Sequence, residues 1–192
     1  MNHLAHLFLA PDSPEARIGS VMGDFVRGVD LSTYPDEIIY GVHHHRAVDS
    51  FTDSHPAVLD SKRLFSQRRR RFAGVALDIL YDHYLLRHWY RFAETDRDRF
   101  IQQVYGEFEN YEHLMPETMA RVTRRMVAHD WFGAYQSLES IGHALDRVAS
   151  RIRFANRFDG MIEEIYEHEE ELEANFLVFF PELKHFAGEH HG

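Results

Sequence analysis

Apolar positions recur at three- and four-residue intervals along nearly the whole chain. Nowhere do apolar and polar residues alternate over a run bounded by turn signals. That periodicity predicts helices and no strands. Prolines and capping residues place the helix ends. "SPEARIGSVMGDFVRG" opens with Ser13 as N-cap and Pro14 at the first helical position. "YPDEIIYGVHHHRAVDSFTD" begins another helix at Pro35, and "HPAVLDSKRLFSQ" follows it. A long helix is expected across "RRFAGVALDILYDHYLLRHWYRF", then three more across "DRDRFIQQVYGEFENYEHL", "PETMARVTRRMVAHDWF" and "SLESIGHALDRVASRI". "RFDGMIEEIYEHEEELEANFLVFFPELKHF" closes the pattern. Helices in this number, about seven or eight, joined by short links predict an all-α fold, a single compact bundle over residues 1–192 with a flexible tail at 187–192.

The chain has 192 residues, enough to bury a core of its own. It has no cysteine, which excludes disulfides and thiolate metal sites and fits a reducing cytoplasm. Any bound metal must then be held by His, Asp, Glu and water. The N-terminus, "MNHLAHLFLAPDSP", lacks the basic region of a signal peptide, and no run approaches the ~18 apolar residues of a membrane span. The formal net charge of −10 argues against general nucleic-acid binding. The charge is uneven, however. "SKRLFSQRRRRFAG" (61–74) is basic and "IEEIYEHEEELEANF" (162–176) is acidic. A basic patch on an acidic protein points to one anionic partner docking at one place; a solvated helix start is the plainer alternative.

Four segments hold the candidate chemistry. Asn2 and His6 are four apart in "NHLAHL", and Asp24 opens "DFVRG". His45 and Asp49 are four apart, as are Asp49 and Asp53. Asp78 and Asp82 are four apart in "LDILYDHYLLRHW", with His83 next to Asp82. Residues at this spacing share one helix face. The last segment is rich in Leu, Tyr and Trp, so its helix is buried or half-buried. Carboxylates there cost several kcal/mol unless paired. A divalent cation between Asp78 and Asp82 would remove both the burial cost and their repulsion; an arginine such as Arg46 or Arg27 is the alternative. His43, His44 and His45 cannot all face one way, because neighbours on a helix differ by about 100°. His44 is expected to be exposed. The acidic run 163–173 reads as a solvated face, and the His129–Asp130 pair as a helix end. No Gly-rich phosphate loop or nucleophile elbow is present, so phosphate chemistry would have to be borne by a metal.

In order and spacing, "NHLAHLFLA", "GDFVRG", "GVHHHRAVDSFTDSHP" and "LDILYDHYLLRHW" resemble the acyl carrier protein phosphodiesterase family. The resemblance is strongest over residues 2–89 and weak in the acidic last third. It implies an HD-domain-like, all-α metal-dependent phosphohydrolase. Such an enzyme releases 4'-phosphopantetheine from a serine of holo-acyl carrier protein, with a divalent cation, manganese first and magnesium or iron next. Carried over residue by residue, it assigns Asp24, His45, Asp82 and His83 to the metal. It assigns His6, Arg46, Asp49 and Asp78 to catalysis or to orienting those ligands. Arg46 and Arg27 would face the phosphoryl oxygens, and His6 or His88 would protonate the leaving serine. Lys62, Arg63, Arg68, Arg69, Arg70 and Arg71 would dock the acidic carrier protein; neither nucleic acid nor membrane is an expected partner. The chain departs from the family pattern at His3, where a bulky apolar residue is usual, at Ser20, where asparagine is expected, and in the Asp-His order at 82–83.

Overall fold

In the computed structural model of the protein, residues 1–151 and 160–189 are described. Among them are twelve α-helices and no strand: α1 (His3–Leu9), α2 (Pro14–Met22), α3 (Asp36–Ser54), α4 (Pro56–Leu64), α5 (Ala73–Arg87), α6 (Trp89–Phe92), α7 (Arg97–Asn110), α8 (Glu117–Ala128), α9 (Trp131–Ala134), α10 (Leu138–Arg151), α11 (Met161–Glu167) and α12 (Glu169–Glu189). The all-α reading holds. The count exceeds seven or eight because α1 adds one and three predicted helices divide, one of them at Asp130 between α8 and α9. A second breaks at His88, whose φ of −107° and ψ of 20° leave the helical region. The third breaks at His168, with φ −116° and ψ 19°. Pro181 lies inside α12, within the closing segment read as one helix. Residues 187–189 of the expected flexible tail belong to α12, and 190–192 lie outside the described residues.

The caps follow the chemistry of their residues. Ser13 accepts a hydrogen bond from the Ala16 amide and Asp96 from the Arg99 amide. His55 uses ring Nδ1 in the same way, accepting from the Ala57 amide at the start of α4. Its Nε2 lies 3.1 Å from Glu182 of α12. The His129–Asp130 pair is a helix end as expected: Asp130, at φ 43°, caps α9.

The middle of the core is α5. Ala76, Leu77, Leu80, Tyr81, Tyr84 and Leu85 are buried, on nearly all sides of the helix, as befits one surrounded by others. The Phe176, Phe179 and Phe180 rings of α12 pack on Tyr81, Tyr84 and Phe92. Two glycines set the distance between α2 and α3. A Cβ at Gly19 would lie 2.2 Å from the Ile38 carbonyl oxygen, and one at Gly41 2.3 Å from that of Ala16. Backbones this close leave no room for a side chain. The consequence is local: the C-terminal turn of α2 lies directly against the histidine segment of α3.

Candidate metal centre

Helix α1 starts beneath α5, and its first turn organises the site. Asp82 of α5 accepts hydrogen bonds from the amides of Leu4 (3.1 Å) and Ala5 (2.9 Å) and from Asn2 Nδ2 (2.9 Å). It satisfies amides that a helix start leaves unpaired. Burial pushes its carboxyl up to about 7, against those three bonds. Asp82 is thus turned to the N-terminal end of α1, and it lies outside the His6–His45–Asp49 group. Asp78, one turn earlier, faces the Met1 ammonium at 3.1 Å, and the same ammonium lies 3.0 Å from Asp49.

Three groups converge beside this turn. His6 of α1 is fully buried, and its ring stacks on that of His45 of α3, with centroids 3.9 Å apart and planes within 19°. Each Nε2 lies 3.1 Å from a different oxygen of Asp49, His6 from Oδ1 and His45 from Oδ2. His45 Nδ1 donates to the Ser20 carbonyl at 2.7 Å, which leaves Nε2 as the nitrogen facing the carboxylate. Ser20 sits in the last turns of α2, brought there by the Gly19–Gly41 contact. Gly23 makes room for the ring: a Cβ there would lie 2.3 Å from His45 Cγ.

The donor set fits a divalent cation. Among the described residues, His6, His45 and Asp49 are the one group of three whose ligand atoms all lie within 4.8 Å of each other. Ligands about 2.1 Å from one ion stand about 3 Å apart when they occupy neighbouring positions, and the two 3.1 Å separations match. His6 Nε2 is buried beside Asp49 without the alignment of a hydrogen bond, and its Nδ1 has no partner either. A buried imidazole left this way costs free energy that a cation would return. Burial pushes His6 down to about 3, so its ring is neutral, the form that ligates. Burial opposes ionisation of Asp49 too, yet His45, His6 and the Met1 ammonium override it and hold the carboxylate far below its usual range. Burial also works against a charge on His45, but Asp49 and Asp24 raise it overall.

Asp24 stands at the edge, in the 3-10 turn Gly23–Phe25. Its Oδ1 is 3.6 Å from His45 Nε2, and its Oδ2 is 3.5 Å from His3 Nδ1. Arg46 is exposed on the outward side of α3, three residues from Asp49, and Arg27 is exposed in the turn after Asp24. His83 is elsewhere. It follows Asp82 by about 100° around α5, and its Nδ1 donates to the Tyr135 carbonyl at 2.8 Å. His88 pairs with Glu173. Thus the structure unites His6, His45 and Asp49, adds Asp24 and Asp78 at the rim, and leaves Asp82, His83 and His88 outside. His44 is buried, not exposed, at 3%. Helix α3 is covered by α2 on one side and by α4 and α12 on another, which widens its buried arc beyond one stripe. Met1, His3, Ser20 and Gly23 complete the surroundings. Of these, His3 and Ser20 stood out in the sequence only as departures from the family pattern, and Gly23 only within "GDFVRG".

The basic segment adjoins this centre. Lys62 Nζ binds Asp53 at 2.9 Å, and Asp53 lies four residues beyond Asp49 on α3. Lys62 also flanks Gly74, four residues before Asp78 on α5. One helical turn, about 6 Å, thus separates Lys62 from the level of the Asp49–Asp78 pair. The arginines divide by role. Arg69 is a strut, bound at 2.9 Å to Glu164, which also accepts from the Ser66 amide. Arg63 pairs with Asp60, Arg70 reaches the Arg63 and Phe65 carbonyls, and Arg71 lies over the Phe72 ring. Arg63, Arg68, Arg70 and Arg71 are exposed. The acidic stretch is not simply solvated, because Glu164, Glu169 and Glu173 pair with Arg69, Arg87 and His88.

With this geometry in place, the chain was compared with known proteins. The family model described as acyl carrier protein phosphodiesterase matches residues 1–183. A protein named acyl carrier protein phosphodiesterase from Pectobacterium atrosepticum is 35% identical over 188 residues, covering 97% of each chain. Proteins of the same name from Photorhabdus laumondii and Yersinia pestis are each 32% identical; the first covers 94% of this chain and 92% of its own, the second 95% of each. No solved structure matches. No helix among the described residues is long and apolar enough to cross a membrane.

Proposed function

The chain belongs to the acyl carrier protein phosphodiesterase family, and from that premise we propose that it hydrolyses the phosphodiester joining 4'-phosphopantetheine to a serine of holo-acyl carrier protein, using a divalent cation held by His6, His45 and Asp49. The observation that carries the proposal is the donor set itself: two buried imidazoles stacked at 3.9 Å with both Nε2 atoms on one carboxylate. Two nitrogen ligands weigh against magnesium, which takes oxygen. Manganese is the proposed ion, and iron(II) is the other that this set admits. A divalent cation held by His6, His45 and Asp49 would supply Lewis-acid polarisation of a phosphoryl oxygen and activation of water for hydrolysis.

The chain's own residues do the rest. Asp49 stays ionised across the whole physiological range and orients both imidazoles. Ser20, through its carbonyl, fixes the tautomer of His45. Arg46 and Arg27, exposed on the rim, meet the non-bridging oxygens of the phosphodiester and offset the charge that develops on them. The departing serine oxygen needs a proton. His6 is occupied in the donor set and His88 is paired with Glu173, so neither serves. Asp78, half-buried and joined to the Met1 ammonium at 3.1 Å, is the remaining group assigned to this proton transfer.

Docking completes the reading. The scissile bond of a holo-carrier protein lies at the carrier's own surface, so the docking patch must border the reacting centre. Lys62 lies one turn from that centre, and Arg63, Arg68, Arg70 and Arg71 continue outward from it. An acidic carrier would be steered to this face and not to the acidic remainder. The test is direct. Purified protein, manganese and holo-carrier protein should yield apo-carrier protein and free 4'-phosphopantetheine by mass spectrometry. No release, with no manganese bound, overturns the reading.

A further inference from the structure

The two oxygens of Asp24 face two different histidines. Oδ1 is 3.6 Å from His45 Nε2, one of the three donors above, and Oδ2 is 3.5 Å from His3 Nδ1. Neither separation is a hydrogen bond. His3 Nδ1 is buried without a hydrogen-bond partner. The ring is held by packing. It stacks on Phe25, the residue after Asp24, with planes 22° apart. His3 also precedes His6 by three residues on α1, so both imidazoles leave the helix on one side. One short turn, Gly23–Phe25, thus supplies both the carboxylate between two imidazoles and the aromatic surface that fixes the outer one.

We propose that His3 Nδ1 and Asp24 Oδ2 form a second divalent-cation position, with Asp24 bridging it to the His6–His45–Asp49 centre through Oδ1. A carboxylate can give one oxygen to each of two cations, and two cations sharing a phosphoryl group stabilise both attacking and leaving oxygens. Asp24 is exposed, so water and substrate oxygens have access to the remaining positions. The proposal rests on the first metal position being real, and it gives the outer histidine a role that packing on Phe25 does not require.

Manganese(II) alone is the probe. Bound metal is counted by equilibrium dialysis with elemental analysis, and its spectrum is recorded by electron paramagnetic resonance. The full chain is compared with His3→Leu, which keeps an apolar side chain on Phe25, and with His6→Ala. The expected result is two manganese ions per wild-type chain with a spin-coupled spectrum. His3→Leu should hold one ion with the six-line spectrum of an isolated ion and an unchanged circular dichroism spectrum. His6→Ala should lose the inner ion. One ion in the wild type, whether or not His3→Leu weakens it, overturns the second position and leaves the first standing. No ion in the wild type overturns both.

Discussion

His45 and Ser20 are joined by a 2.7 Å hydrogen bond from the imidazole Nδ1 to a backbone carbonyl, and this bond turns Nε2 toward Asp49. The ring fits between α2 and α3 only because residue 23 has no side chain. Gly23→Ala would put a methyl 2.3 Å from His45 Cγ, so the ring must leave its place. Disturbing a group that orients a ligand lowers metal affinity by about 10- to 100-fold. Gly23→Ala should therefore weaken manganese binding at the inner position by about that factor while His6→Ala abolishes it there. Isothermal titration with manganese measures both, and an unchanged affinity in Gly23→Ala would count against His45 as a ligand.

The three consecutive histidines should separate into three behaviours. His45→Ala should lose manganese. His44→Ala should keep it but lower the urea midpoint, because a buried side chain is removed from the α3 packing, at a cost of roughly 1–3 kcal/mol. His43→Ala, an exposed substitution, should change neither beyond about 0.5 kcal/mol. Equal metal loss from His43→Ala and His45→Ala would refute the orientation of α3 described above.

Asp82 should govern stability and not metal. Its folded carboxyl, at about 7, lies above its ordinary value of 3.8. The folded chain holds that proton more tightly than the unfolded one. The contribution is thus fully present below about pH 4 and is lost as pH rises through about 7. Asp82→Asn removes this dependence but leaves one of the Leu4 and Ala5 amides without its acceptor, costing about 1–3 kcal/mol. In urea unfolding, wild type should exceed the variant most at pH 4, and the gap should narrow toward pH 8. Manganese stoichiometry should be the same in both. A gap that stays constant over this range would place the Asp82 carboxyl near its ordinary value.

How far the sequence spoke is clearest at Asp82. A carboxylate on an apolar helix demanded something positive, and that much was legible. The partner was the start of α1, 77 and 78 residues away in sequence, which no local spacing shows. His45 and Asp49 were legible because four residues put them on one helix face, and His6 because it shares a turn with Asn2. Their convergence was not, since it depends on the Gly19–Gly41 crossing, a tertiary contact between two unremarked glycines. Caps marked by Ser13 and Pro14 or by Pro56 read correctly. The breaks at His88 and His168 carried no proline or glycine to announce them.

The basic segment should split between docking and architecture. Arg69 is bound to Glu164, and both side chains are mostly covered, at 21% and 14% exposure. Arg69→Ala should therefore lower stability by about 1.5–3 kcal/mol, the range for a hydrogen bond to a charged group. It should leave KM for the carrier protein unchanged in whatever fraction remains folded. Arg68 and Arg71 are exposed, and reversing both to Glu should spare manganese binding and cost only about 1 kcal/mol of stability, from the loss of the Arg71 contact with the Phe72 ring. If they meet an acidic carrier, two lost contacts raise KM by about 2- to 30-fold, and the new like-charge repulsion adds to this. Raising salt should weaken the wild type and affect the reversed variant much less, because screening acts on contacts that the variant no longer makes. A small phosphodiester that reaches only the metal centre should be cleaved equally by both proteins. Equal KM values for holo-carrier protein at low salt would show that the arginines are a solvated helix start, and would move the docking surface to another face of the rim around Asp24 and Asp78.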